Sequence, residues 1–288
     1  MGQSISLIHT LHCRHHSFPL GGRCLVMGVV NVTPDSFSDG GQFLTLSEAL
    51  HHAERMLAEG ADIIDIGGES TRPGARYVNE DEEVSRIRPL FEVLGRQTKV
   101  PLSIDTRKSS VAKVALDLGA SIVNDVSALQ DDPEMARTVR ESGAAVILMH
   151  RKGHSVSMQH EPHYEDVVRE VQAFLGDRAT VAEQAGISSD RIIVDPGIGF
   201  GKTQTHNLKL LANISQFVGL GFPVLVGASR KVFLEELTGR PVGEREMGHA
   251  AVIAAAVWQG AHIVRVHDVK AMKDVVTVAQ ALRKSHEK

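Results

Sequence analysis

Short apolar runs that end in a polar residue recur eight times along the chain. Residues 24–30 run into Asn31, 63–66 (with Asp65 among them) into Gly67-Gly68-Glu69, 102–104 into Asp105, and 122–123 into Asn124-Asp125. Residues 144–149 then lead to His150, 192–194 to Asp195, 224–227 to Ser229, and 263–266 to His267. Runs with so little alternation are what strands covered on both faces require. Between them the apolar spacing turns helical, as at Leu50, Ala53, Leu57 and Ala58, and again at Val84, Ile87, Leu90, Phe91 and Leu94. Residues 109–119 and 135–143 continue the series, each closed by a glycine. Strands and helices alternating at this spacing predict parallel βαβ units, and eight of them close into an α/β (β/α)8 TIM barrel. A doubly wound open sheet would need a switch point or an edge strand, and the repeat supplies neither. Residues 1–23 precede the barrel as a short N-terminal extension, with a hairpin expected over 6–22 capping the N-terminal face. The barrel itself is expected to occupy residues 24–288.

A barrel of this kind builds its site from the loops that follow the strands. Asp105, Asn124 and Asp195 come from three strands, so the fold would aim them into one mouth with Met149 as an apolar neighbour. Two carboxylates and a carboxamide around a flat apolar floor suit a heterocycle rich in N–H donors, a pterin or a guanine. Taken singly, each could be a solvated strand cap; three together argue for a ligand. The Asp195-Pro196-Gly197-Ile198-Gly199-Phe200-Gly201 segment adds glycines that let the backbone lie against such a ligand.

A second group is cationic. Thr71-Arg72-Pro73-Gly74, Ser229-Arg230-Lys231 and Arg265-Val266-His267 follow or occupy strands two, seven and eight, and barrels commonly hold phosphate after strands seven and eight. Arg265 and His267, two apart, could aim at one anion. The stretch 31–41, Asn31-Val32-Thr33-Pro34-Asp35-Ser36-Phe37-Ser38-Asp39-Gly40-Gly41, gathers hard oxygen ligands suited to Mg²⁺, and its length suits a lid.

Composition narrows the partners. The chain has 288 residues, with 31 Lys and Arg against 35 Asp and Glu, so no global charge advertises a nucleic acid or an acidic membrane. Two cysteines, Cys13 and Cys24, rule out a disulfide framework and suit a reducing compartment. No apolar stretch is long enough to span a bilayer, so a soluble, cytoplasmic protein is expected. Several signatures fail on inspection. Gly197 stands one position too close to Gly201-Lys202-Thr203 for a phosphate-binding P-loop, Gly227-Ala228-Ser229-Arg230-Lys231 is no nucleophile elbow, and His160-Glu161-Pro162-His163 is no zinc-protease motif.

The segments MGVVNVTPDSFSDGG, IDIGGESTRPGA, SIDTRK, VNDVSAL, VDPGIGFGKT, GASRK and IVRVHDV, in this order from about residue 25 onward, resemble dihydropteroate synthase, the sulfonamide target of folate biosynthesis. The resemblance implies a homodimeric (β/α)8 barrel that joins 6-hydroxymethyl-7,8-dihydropterin diphosphate to 4-aminobenzoate and releases diphosphate. It implies that Asp105, Asn124, Asp195 and Lys231 hold the pterin with Arg265 over its face, and that Arg72, Arg265 and His267 take the diphosphate. Asn31, helped by Asp39, would bind Mg²⁺, while Phe37, Thr71, Pro73, Phe200 and Ser229 would shape the aminobenzoate pocket. Breakage of the C–O bond is thought to precede attack in that family, so Asp105 would steady a cationic pterin methylene. The chain departs from the pattern at Arg151-Lys152-Gly153, at Gly248-His249 and in its histidine-bearing N-terminus. A folate-dependent methyltransferase domain would share Asp105, Asn124 and Asp195 but has no use for the diphosphate grip. A non-catalytic pterin-binding protein should have lost Arg265-His267 or the acids of the lid, and all are present.

Overall fold

A computed structural model describes residues 9–32, 46–70, 75–153 and 162–286. Two short strands come first, β1 (His9–Cys13) and β2 (His16–Leu20), paired antiparallel. Eight strands then alternate with helices: β3 (Leu25–Asn31), β4 (Ile63–Gly67), β5 (Leu102–Asp105), β6 (Ala120–Asp125), β7 (Ala145–Met149), β8 (Ile192–Asp195), β9 (Leu225–Val226) and β10 (Ile263–Val266). All neighbours are parallel, in the order β8-β7-β6-β5-β4-β3-β10-β9, and a bridge from Val194 to Val224 joins the two ends. The barrel is therefore closed, and no strand edge is left to cover. Each of the eight apolar runs read from the sequence is a strand, and the N-terminal hairpin is present.

The helices on the outside are α1 (Leu46–Ala58), α2 (Glu80–Gln97), α3 (Ser109–Asp117), α4 (Met135–Ser142) and α5 (Val167–Gln184). They continue with α6 (Gln204–Leu211), α7 (Ile214–Val218), α8 (Val232–Thr238), α9 (Glu246–Trp258) and α10 (Val269–His286). Their ends follow local chemistry. Asn79 and Asp166 accept backbone N–H groups at the starts of α2 and α5, satisfying donors that a helix leaves unpaired. Gly143 closes α4 with φ of 72°, a conformation other residues rarely adopt.

Two apolar layers result. The outer one packs helices on strands, with Phe91, Ile87 and Leu90 of α2 at its centre. The inner one fills the lower barrel with Leu25, Met27, Ile63, Ile122, Ile147, Ile193, Leu225 and Ile263. Leu11, Cys13 and Leu20 of the hairpin join that inner layer, so the extension plugs the N-terminal end. Arg14 fastens it by donating from Nη1 to the carbonyls of Leu116 (2.7 Å) and Ala120 (2.9 Å). With its base filled by side chains, the barrel is open to ligand only at the other end, where the strands carry polar residues.

Candidate functional site

Register decides which side chains meet. Asn31 pairs with Gly67, Gly67 with Asp105, and Asp105 with Asn124; across the barrel Met149 pairs with Asp195. Asn124 in turn pairs with Ile147 on the same rung, so Met149 and Asp195 stand two residues further along their strands than that rung, on the same face and at the same C-terminal mouth. Asp105, Asn124, Met149 and Asp195 are all buried there. Asp65 lies one pleat deeper on β4, fully enclosed.

Arg265 reaches across this floor from β10. Its Nε donates to Asp65 Oδ2 at 2.6 Å and its Nη2 to Asp105 Oδ2 at 2.8 Å. Asn124 Nδ2 donates to the same Asp65 oxygen at 3.1 Å. Asp105 Oδ1 has no hydrogen-bond partner among the described residues. A buried carboxylate oxygen left unpaired costs free energy unless a ligand supplies the donor. Burial pushes the Asp105 carboxyl up to about 7, against the pull of Arg265 and with a further push from Asp65 and Glu83. Asp195 rises to about 6, again mainly by burial, although Gly197 N–H donates to its Oδ1 at 2.7 Å.

The loop after β8 is held by close backbone approaches. Gly197 adopts φ of 68°, and a Cβ there would sit 1.9 Å from the His150 carbonyl oxygen; at Gly199 (φ 85°) it would press on the Lys231 stem at 3.0 Å. Only glycine permits both. Lys231 Nζ lies 3.8 Å from the centre of the Phe200 ring, a cation–π contact that joins two of the expected site residues.

Beneath the loop is Lys202, which no motif singled out for the site. Its ammonium is buried and donates to the carbonyls of Gly197 (2.9 Å) and Phe200 (3.0 Å) and to His150 Nδ1 (2.9 Å). Burial lowers its pKa to about 7, opposed by Asp195. Burial, helped by the Lys202 charge, also lowers His150 to about 2, so its imidazole stays neutral and accepts. The pair braces the turn that carries Asp195 and Phe200. Asp65 is the other residue the pattern did not single out, since an acid inside an apolar run reads as an interruption rather than a contact.

At the rim, His267 Nδ1 and Ser229 Oγ are 2.9 Å apart, which brings strands seven and eight of the barrel together as expected. The Arg265 guanidinium is engaged by the two acids through Nε and Nη2. Arg151, one of the departures noted above, is tied to Asp131 at 2.5 Å, and Asp131 in turn to Arg107 at 3.0 Å. Phe37, Asp39, Thr71, Arg72 and Pro73 lie outside the described residues.

Comparison with known proteins agrees with this fold. The profile of the pterin-binding enzymes matches residues 27–267. The dihydropteroate synthase of Synechocystis is 44% identical over 266 residues, covering 92% of this chain and 92% of its own. The Yersinia pestis dihydropteroate synthase solved as a sulfonamide drug complex superposes with a TM-score of 0.91 at 42% identity, covering 96% of this chain and 99% of its own. The Xanthomonas albilineans dihydropteroate synthase in complex with 7,8-dihydropteroate gives a TM-score of 0.85 at 44% identity, covering 95% and 98%.

Proposed function

We infer that this chain, which belongs to the pterin-binding enzyme family and within it to the dihydropteroate synthases, joins 6-hydroxymethyl-7,8-dihydropterin diphosphate to 4-aminobenzoate and releases diphosphate. It is a transferase of folate biosynthesis. The observation that best supports the reading is a floor of acceptor oxygens on Asp105, Asn124 and Asp195, crossed by the Arg265 guanidinium and flanked by Lys231.

In this reading the pterin edge donates to Asp105 Oδ1 and Asp195, Met149 packs below the ring, and Lys231 and Arg265 enclose it. Diphosphate departs with the bonding pair of the C–O bond, towards the cations Arg72, Arg265 and His267. The neutral aromatic amine then forms the new C–N bond from its own lone pair and sheds a proton. Phe200, Ser229, Phe37, Thr71 and Pro73 would line the aminobenzoate side. Phe200, in contact with Lys231, supports that division of the mouth. Cations arranged before reaction around the leaving group stabilise the charge that develops there.

We assign Mg²⁺ to Asn31 and Asp39. Asn31 Oδ1 and Asp105 both border Gly67, at 3.6 and 3.4 Å from where a Cβ would stand, so a hard oxygen faces the reacting end of the pocket. Among the described residues no group of three His, Cys, Asp or Glu could hold a metal. Mg²⁺ needs few protein oxygens when substrate phosphates supply the rest of its ligands. Such an ion neutralises charge on the leaving diphosphate.

The direct test is diphosphate release from pterin diphosphate and Mg²⁺ that depends on added 4-aminobenzoate. Lys231→Ala is expected to lower kcat/KM for pterin diphosphate about 10- to 100-fold by removing the cation beside the ring. Full activity in that variant would move the pocket elsewhere.

We further propose a homodimer. The outward face of α9 is apolar along its length, with Met247 76% and Trp258 45% exposed and Ala251 and Ala255 between them. Val278 and Leu282 of α10 extend it, and the Trp258 ring meets His286 at 5.3 Å. A continuous apolar face over two packed helices suits a self-complementary contact. Light scattering should give twice the chain mass, and Trp258→Glu should give monomers; a monomeric wild type would refute the assignment. Among the described residues no helix is long and apolar enough to cross a membrane.

A further inference from the structure

Asp65 is a fully enclosed charge on a barrel strand, and the reaction proposed for the site does not use it. It has no exposed surface and stands two residues deeper on β4 than Gly67, which pairs with Asp105; its Oδ1 has no hydrogen-bond partner among the described residues, and its Oδ2 carries the contacts. Burying a carboxylate is unfavourable unless its oxygens are paired, and both partners of Asp65 Oδ2 are residues of the proposed pterin pocket: Arg265 Nε at 2.6 Å and Asn124 Nδ2 at 3.1 Å.

The chemistry of those contacts is directional. An ionised carboxylate only accepts, whereas a carboxamide presents a donor at one end and an acceptor at the other. With its NH₂ committed to Asp65, the Asn124 amide turns its oxygen away from that carboxylate. The guanidinium is fixed in the same way. Nε is committed to Asp65 and Nη2 to Asp105 Oδ2, which sets the plane of the Arg265 fork and leaves Asp105 Oδ1 without a partner among the described residues. The floor therefore offers acceptor oxygens from Asp105 and Asn124 together. A donor-rich pterin edge needs that pattern, and a heterocycle with the opposite pattern would be refused.

We propose that Asp65 is a positioning residue that sets the donor and acceptor polarity of the pterin pocket by orienting Asn124 and Arg265 from beneath. The proposal rests on the synthase reading and deepens it. Asp65 acts through its two partners and makes no contact with substrate.

The test is a comparison of Asp65→Asn and Asp65→Glu with wild type, using purified full-length chain, pterin diphosphate, 4-aminobenzoate and Mg²⁺. Asp65→Asn keeps the size but offers its own amide to Asn124, so the orientation is no longer dictated. The expected result is a KM for pterin diphosphate raised about 10- to 100-fold in both variants, with the KM for 4-aminobenzoate within about twofold of wild type. Combined with Asn124→Ala, the Asp65→Asn change should have less than its full effect, because part of its route is already gone. An unchanged KM for pterin diphosphate in either variant, equal rises for both substrates, or fully multiplicative effects in the double variant would overturn the role. Wild-type chain that releases no diphosphate would instead refute the synthase reading itself, whatever the variants do.

Discussion

Arg265→Ala is expected to lower kcat/KM for pterin diphosphate about a thousand-fold and to destabilise the fold more at about pH 8 than at about pH 5. The guanidinium is the hydrogen-bonded counter-charge to two buried acids, at 2.6 Å from Asp65 and 2.8 Å from Asp105. Removing one member of such a group leaves uncompensated charge in the interior, which costs about 3–5 kcal/mol. The expected activity loss combines that collapse of the floor with loss of the proposed contact to the leaving diphosphate. The pH dependence follows from Asp105, whose carboxyl burial already holds at about 7 with Arg265 opposing the rise. Without the guanidinium it rises further. A carboxyl with a raised folded pKa binds more protons folded than unfolded. Its unfavourable contribution is therefore absent below the ordinary carboxylate value, about 4, and grows as pH rises towards the folded value. Thermal unfolding of variant and wild type at the two pH values checks this, and an equal loss at both would contradict it.

How much of this was legible beforehand depends on the range over which each contact acts. The eight strands could be read because a barrel strand is covered on both faces, so its sequence is an uninterrupted apolar run that stops where the mouth begins. Asp105, Asn124 and Asp195 were legible for the same reason, as the polar residues at which runs stop. Asp65 was hidden because its partner Arg265 is 200 positions away, and only closure of the barrel brings β4 and β10 to either side of β3. Lys202 was hidden differently. Beside Gly201 and Thr203 it resembled a failed phosphate loop, but three backbone carbonyls and a neutral histidine turn its ammonium inward, under Asp195. The spacing of Arg265 and His267 put both at the mouth but did not show that the two acids engage Arg265 and that Ser229 contacts His267. Strand periodicity says which face a side chain takes and nothing about which neighbour binds it more strongly.

Asp105→Asn is expected to lower kcat about 100- to 1,000-fold while changing pterin binding far less, because the role assigned to this carboxylate lies in its charge. If the C–O bond breaks before the amine attacks, the pterin methylene becomes cationic as the diphosphate departs. A carboxylate beside it then stabilises the transition state more than the ground state, and only such a difference raises kcat. An amide keeps the shape and one acceptor oxygen, so the pterin still docks. Proton uptake gives a second, independent reading of the same residue. Burial raises the carboxyls of Asp105 to about 7 and Asp195 to about 6, so wild-type kcat/KM should climb through this range as each ionises in the free enzyme. The variant should lose the upper step and keep the lower one. Diphosphate release measured from about pH 5 to about pH 9 decides the matter. Unchanged turnover, or an upper step that survives the substitution, would mean that Asp105 holds the ring without assisting the departure of its leaving group.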